Sequence, residues 1–135
     1  MSLERLREEF LVDSDLGEKQ LEVLVRKILP YCLVSKDGFV ELKRANLSGK
    51  EQVKLVLAAR LIASKLDKAV RGDLTAEELS EQTGLPKNQA AARAKESFDE
   101  KFAERSARGS YRARQHKIDA FLDGLSRNTG KKEGP

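Results

Sequence analysis

Apolar side chains recur at helical spacing in the first thirty residues. Leu3, Leu6 and Phe10 predict a short amphipathic helix, which residues 13–15 (DSD) interrupt. A second apolar stripe predicts a helix over about residues 16–30, and its members are Leu21, Leu24, Val25, Ile28 and Leu29. The helix ends at a proline, because the proline ring leaves no N–H for the next hydrogen bond.

Two β-prone runs follow, at residues 31–34 and 39–42. The residues between them, SKDG, end in an Asp-Gly pair, which is a strong signal for a hairpin turn. A two-stranded hairpin is too small to be stable by itself, so this one must rest on another part of the chain. We therefore expect residues 1–47 to form an N-terminal extension made of helix and hairpin.

The next segment predicts the central helix of the protein. Ser48 has the sequence position of an N-cap, and Glu51 three residues later completes a capping box. From residue 49 to about residue 67, apolar side chains occur on most sides of the helix, which is the pattern of a helix buried in a core. Residues 71–73 (RGD) then predict a loop.

Two short helices joined by a tight turn come next. Thr75 and Glu78 form a second capping box, and the helix that they start runs to Thr83. Gly84 stands where a helix end favours a left-handed residue. The following helix spans residues 86–100 and begins with a proline, which is favoured in a first turn because its missing N–H costs nothing there. Its inward face is predicted to hold Ala91, Ala94 and Phe98.

A hairpin and a closing helix complete the order of elements. Residues 102–105 and 110–114 predict two strands, with a turn at 106–109. The closing helix spans about residues 117–125, and its apolar positions have helical spacing: Ile118, Phe121, Leu122 and Leu125. Residues 127–135 (RNTGKKEGP) are polar and predict a flexible tail.

This order of elements resembles the winged helix-turn-helix family, and most of all the small archaeal members that are considered to be transcriptional regulators. The resemblance lies in LTAEELS at 74–80, GLPKNQ at 84–89, EKFAE at 100–104 and GSYR at 109–112. It implies a mainly α (α+β) protein with a winged helix-turn-helix over residues 48–126. The extension at 1–47 precedes that domain, and the tail at 127–135 follows it.

Composition narrows the classes of protein that fit. Apolar residues make up 39% and charged residues 36%, which suits a small aliphatic core in a chain without tryptophan. A single Cys and a single His exclude an internal disulfide, a Cys-rich zinc site and a His cluster. No apolar run approaches 18 residues, and the first ten residues mix acids with bases, so we expect a cytoplasmic protein without a membrane partner.

Basic residues are concentrated in one part of the chain. The net charge is +4, and residues 85–118 carry nine basic residues against four acidic ones. A local basic excess is the electrostatic signature of a protein that binds a polyanion. The same residues also fit a solvated basic face that binds nothing, and the composition does not decide between the two.

The resemblance implies duplex DNA as the partner. In winged helices the second helix of the motif enters the major groove and the wing contacts the backbone. Carried over, this implies base contacts from Asn88, Gln89 and Arg93, with Lys87 beside them. The wing arginines Arg105, Arg108, Arg112 and Arg114 would contact phosphates, and Thr75 would place its helix N-terminus near another phosphate.

Other interpretations of these residues stay open. The arginines of the hairpin also serve to keep a sheet edge soluble, and Gln89 and Arg93 fit ordinary exposed helix positions. The helix at 86–100 is rich in alanine, and Glu96 and Glu100 would repel phosphate. A winged-helix interaction module that binds a protein or RNA is therefore the alternative. The apolar stripe of residues 1–47 either packs on the domain or forms the interface of a homodimer.

The sequence carries no recognisable catalytic pattern. Gly109, Gly124 and Gly130 are isolated, so no glycine-rich phosphate loop is present. His116 has neither Cys nor carboxylates at ligand spacing, and no nucleophile pattern includes it. We expect no enzyme activity, no cofactor and no metal site.

Overall fold

The computed structural model describes residues 17–43, 46–106 and 109–133, and within them the protein is an α+β fold. Five helices and two small antiparallel sheets make up the described chain. The short helix predicted around Leu3, Leu6 and Phe10 lies outside these residues.

The N-terminal part has the helix and hairpin that the sequence predicts. Helix α1 spans Glu18–Ile28, and strands β1 (Cys32–Val34) and β2 (Val40–Leu42) pair antiparallel, with Leu33 opposite Glu41. The turn contains Gly38 at φ 91°, a left-handed conformation that glycine adopts without a steric cost.

Helix α2 (Gly49–Leu66) is the centre of the core, as predicted. Both halves of its capping box are formed, since Ser48 Oγ accepts from Glu51 N and Glu51 Oε1 accepts from Ser48 N. Every residue from 55 to 62 is buried, so the middle of the helix touches protein on all sides.

Helices α3 (Ala76–Thr83) and α4 (Lys87–Asp99) follow, joined at Gly84 with φ 79°. The capping box of Thr75 and Glu78 and the left-handed glycine are both confirmed. A short strand β3 (Leu74–Thr75), which the pattern of apolar residues does not predict, precedes α3. Two residues are too few to show the alternation of apolar and polar side chains that predicts a strand. They form a strand only because they pair with residues that are distant in the sequence.

The second hairpin completes a three-stranded sheet. Strands β4 (Ala103–Arg105) and β5 (Ser110–Ala113) pair antiparallel, and β5 lies between β4 and β3. Helix α5 spans Gln115–Glu133, so it ends eight residues beyond the predicted end and occupies most of the segment predicted as a tail. No proline occurs between Gln115 and the last residue of the chain, so no proline ring forces an earlier end of the helix.

Helix α1 packs against the rest of the protein, so part of its apolar stripe is buried. Leu24 and Ile28 are buried in the same hydrophobic core as α2 and α5. Lys27 fastens α1 to α5 through Asp119 at 2.7 Å and Asp123 at 3.0 Å. The stripe was expected either to pack on the rest of the chain or to form a homodimer interface. Leu24 and Ile28 pack on the rest of the chain, whereas Leu29 stays exposed.

Candidate nucleic-acid interface

The turn between α3 and α4 is held by hydrogen bonds on both sides of Gly84. Gly84 N donates to Ser80 O at 2.9 Å, and Ser80 Oγ donates to Leu85 O at 2.6 Å. Leu85 N donates to Thr83 Oγ1 at 3.2 Å. These bonds satisfy the last groups of α3 and fix the direction in which α4 leaves the turn.

Helix α4 buries a different face from the one that the sequence analysis assigned. Ala90, Ala94 and Ser97 are fully buried, whereas Ala91 and Phe98 are only half-buried. The centre of the buried face is therefore shifted by part of a turn from the predicted one, although Ala94 is buried as predicted and Phe98 packs against the core. The cause is the small size of the buried residues, which lets α4 approach α2 and α3 closely.

The corrected face changes which side chains of α4 point away from the protein. Successive residues turn by about 100°, so the row opposite Ala90 and Ala94 contains Asn88, Ala92, Lys95 and Asp99. All four are exposed, and Asp99 places one negative charge at the end of the row. Lys95 was missed as a candidate because the helical wheel was centred on Ala91.

The first turn of α4 carries the predicted polar residues at the surface. Lys87, Asn88 and Gln89 are exposed. The helix starts after Pro86, whose side chain makes no capping hydrogen bond. Asn88 Oδ1 accepts a hydrogen bond from Gln89 N at 3.0 Å. The structure thus brings these three residues together on an exposed helix start.

Arg93 lies beside the buried face and not opposite it. Its Nε is 2.6 Å from Glu96 Oε1, and its aliphatic stem packs near Gly49 at the start of α2. The predicted inward face of Ala91, Ala94 and Phe98 would place Arg93 on the opposite side of α4, and the shift of the buried face to Ala90, Ala94 and Ser97 overturns that position. In this arrangement Glu96 holds the guanidinium.

The hairpin arginines differ from one another in their surroundings. Arg105 places its guanidinium 5.0 Å from the ring centroid of Phe98 and 5.8 Å from that of Tyr111. Arg112 Nη2 donates to Glu104 Oε1 at 2.7 Å across the two strands. Arg114 is half-buried, and its Nε has no hydrogen-bond partner in the described part of the chain. Arg108 lies outside the described residues.

Thr75 uses its side chain to cap α3. Its Oγ1 accepts from Glu78 N at 3.1 Å, and its own N donates to Glu78 Oε1 at 3.0 Å. Glu77 adds a second carboxylate to the first turn. This helix start is unfavourable for a phosphate, because a first-turn N–H is already bonded and two negative charges are adjacent.

Ion pairs remove most of the negative charge that the sequence places near this surface. Glu100 Oε1 is 3.0 Å from Lys54 Nζ, and Lys50 of α2 contacts its other oxygen. A hydrogen bond from Lys50 is the main cause that holds the pKa of Glu100 below its ordinary value. Two further ion pairs join Glu96 Oε1 to Arg93 Nε at 2.6 Å and Glu104 Oε1 to Arg112 Nη2 at 2.7 Å.

The basic side chains that remain give this surface its positive charge. Lys87, Lys95 and Lys101 are exposed, and none of them makes an ion pair with another described residue. The two glutamates that were expected to repel phosphate are both neutralised by neighbouring cations. Lys50 and Lys54 of α2 add positive charge to the surface of α4 and the second hairpin, whereas the pairs Arg93–Glu96 and Arg112–Glu104 leave its net charge unchanged.

Other kinds of site find little support in the described residues. No group of three His, Cys, Asp or Glu side chains among them is placed to hold a metal ion. Burial raises the pKa of the Cys32 thiol to about 12, so the thiol stays protonated near neutral pH. Across the described helices, none combines the length and the apolar character needed to cross a membrane.

Comparison of the chain with protein-family models, with curated proteins and with solved structures finds no match.

Proposed function

We propose that residues 48–126 form a winged helix-turn-helix that binds duplex DNA and regulates transcription in the cytoplasm, without enzyme activity. In the proposal, α4 is the recognition helix and the β4–β5 hairpin is the wing. The order of three helices with a three-stranded sheet supports it, since β3 precedes α3 and the hairpin follows α4.

The observation that carries the proposal is the exposed surface of α4. Asn88 and Lys95 lie on its outward row, with Lys87 and Gln89 beside them. Asn and Gln side chains form paired hydrogen bonds with adenine, and lysine contacts phosphate or guanine. The opposite face is packed with alanine, so the helix presents these groups from a rigid support.

The corrected positions divide the roles differently from the sequence analysis. We assign base contacts to Asn88 and Gln89 and phosphate contacts to Lys87 and Lys95. Arg105 belongs to the wing and is held by the rings of Phe98 and Tyr111. Arg93 and Arg112 first have to release Glu96 and Glu104, so each contributes less than an arginine without an ion pair.

The test is fluorescence anisotropy with a labelled random-sequence duplex of about one and a half helical turns, titrated with salt. We expect dissociation constants near the micromolar range at low salt, rising linearly on a double logarithmic plot. Lys95→Ala should lower the magnitude of that slope by about 1, because one phosphate contact is lost.

Lys68→Ala is the matched control, since Lys68 is an exposed lysine beyond the opposite end of α2. That end lies about 27 Å from the end near α4, because α2 has 18 residues. Binding that is absent at low salt contradicts the proposal. An RNA hairpin or a protein partner that binds at this face in preference to duplex DNA favours the interaction module instead.

A further inference from the structure

An apolar cleft lies between α1, β1 and the C-terminal half of α2, on a part of the molecule that the proposed DNA contact does not use. Its volume is about 310 Å³. Nearly all of its lining is apolar, and the side chains that matter here are Val25, Leu29, Leu33, Ile62, Leu66 and Val70.

Three of these side chains are unusually exposed for their size. Leu29 is 44%, Leu33 47% and Leu66 63% exposed, and they line the same cleft. Single exposed leucines are common on proteins, but a contiguous group around a cleft marks a surface that something covers. Covering the exposed part of each leucine removes apolar surface from water, which favours an occupant of the cleft.

We propose that this cleft is the docking site of residues 1–16 of the same chain. These residues lie outside the described part, so their sequence carries the argument. Leu3, Leu6 and Phe10 share one side of a helix, whereas Glu8 lies on the opposite side. A helix with one apolar side needs an apolar surface, and the cleft offers one of matching character.

The chain connection allows this docking. Gly17 precedes α1, and Val25 at the near side of the cleft lies eight residues further on, or about 12 Å along the helix. Residues 11–16 span at most about 20 Å when extended. A helix over residues 3–10 is about 12 Å long, so it reaches the cleft when the chain reverses at residues 13–15.

Charge and attachment favour this occupant over a second copy of the chain. Residues 1–16 hold five acidic and two basic side chains. Lys36 lines the cleft and Lys68 lies next to it, with Asp67 as the opposing charge. A segment tethered this close has an effective concentration in the millimolar range, which a second copy at micromolar concentration does not match.

The test is disulfide trapping in the full chain. Cys32→Ala removes the native thiol, and Leu6→Cys with Leu66→Cys places one thiol on each proposed surface. Leu66 is exposed, so its replacement leaves the described core intact. After mild oxidation we expect an intrachain disulfide, visible as a faster-migrating monomer on a non-reducing gel.

Glu8→Cys with Leu66→Cys is the matched control, because Glu8 is only two residues nearer to α1 than Leu6 but lies on the opposite helix face. We expect its crosslink to form at least about tenfold more slowly than that of the Leu6→Cys pair. Equal rates for the two pairs overturn the proposal, and so does the lack of a crosslink in either.

Sedimentation velocity of the unmodified chain gives a second readout. We expect a monomer at micromolar concentration, since the cleft is filled from within the chain. A covalent dimer in the trapping experiment, or a stable dimer in sedimentation that Leu33→Glu dissociates, shows that a second copy covers the cleft and overturns the proposal. Neither experiment measures DNA binding, so its failure is distinguishable from failure of the DNA proposal.

Discussion

The two β-hairpins of this protein start from similar local patterns and end in different environments. Both have short strands and a turn with a left-handed glycine, Gly38 in the first and Gly109 in the second. The first remains a two-stranded sheet, whereas the second gains β3 as a third strand. Its inward side chains Phe102, Ala103 and Ala113 are buried.

The first hairpin has a buried apolar face, with Cys32 and Val40 in the hydrophobic core, and is also attached through polar contacts. Arg60, which is only 8% exposed, donates from Nη1 to Gly38 O at 3.0 Å and from Nε to Arg71 O at 2.8 Å. Val40 N donates to Gln82 Oε1 of α3 at 2.5 Å. The comparison teaches that both hairpins bury an apolar face and differ in what is added to it. The second hairpin gains the two-residue strand β3, whereas the first gains hydrogen bonds with a buried guanidinium and a side-chain amide.

The largest expected difference lies in the phenylalanine of each hairpin. Phe102 is buried and contacts Phe121 edge to face at a centroid distance of 5.1 Å, whereas Phe39 is about half exposed. We expect Phe102→Ala to lower the free energy of unfolding by about 3–5 kcal/mol, and Phe39→Ala by about 0.5 kcal/mol. Urea denaturation followed by circular dichroism measures both. Equal losses in the free energy of unfolding would contradict the difference between the two hairpins.

The second largest difference in the free energy of unfolding is expected between an arginine of each hairpin region, Arg60 and Arg112. Arg60→Met leaves two carbonyl groups without their donor, so we expect a loss of about 2–3 kcal/mol in the free energy of unfolding. Arg112→Met removes only an exposed ion pair with Glu104 and should cost less than about 1 kcal/mol. The same urea titration compares them, and a larger loss for Arg112→Met would reverse the assignment of polar attachment to the first hairpin.

The turn glycines sharpen the comparison further. A Cβ at Gly38 would lie 3.3 Å from Arg60 Cζ, whereas a Cβ at Gly109 meets nothing within 4 Å. Both residues have positive φ, so Gly109→Ala should cost about 1 kcal/mol from the backbone alone, and Gly38→Ala about 2 kcal/mol. Thermal unfolding of both variants tests this order. If Gly109→Ala costs the larger amount, Arg60 does not restrict the first turn.

The smallest effect is a pH dependence at the second hairpin. Burial raises the pKa of Asp73, but hydrogen bonds from Arg71 and Ser106 outweigh it and hold that pKa below its ordinary value of 3.8. A lowered pKa of Asp73 stabilises the folded state at pH values above the ordinary pKa, and this contribution is lost as the pH falls from there through the lowered pKa. Unfolding measured at pH 6 and pH 3 should change less in Asp73→Asn than in the unmodified chain.

Asp99→Asn is the control for that measurement, because Asp99 is an exposed carboxylate of α4 that holds no other element. The variant should keep the pH dependence of the unmodified chain. Equal pH dependence in Asp73→Asn would show that the link from Asp73 to Ser106 does not fasten the end of β4.

Local signals in the sequence were sufficient for most elements. Both capping boxes, the left-handed Gly84 and the two hairpins depend on side chains a few residues apart, and all are formed. The central place of α2 follows from apolar residues on all its sides. Such features are readable because their energetic causes lie within one or two turns of the chain.

The tertiary structure decided which face of α4 is buried, and with it which residues are offered to a partner. A helix rich in alanine has no strong apolar stripe, so the choice between Ala90 and Ala91 depends on how closely α2 and α3 approach. Ion pairs from Lys50 and Lys54 to Glu100 join residues about fifty positions apart. The pairing of β3 and the burial of Arg60 have the same origin: contacts between distant residues, which no local pattern contains.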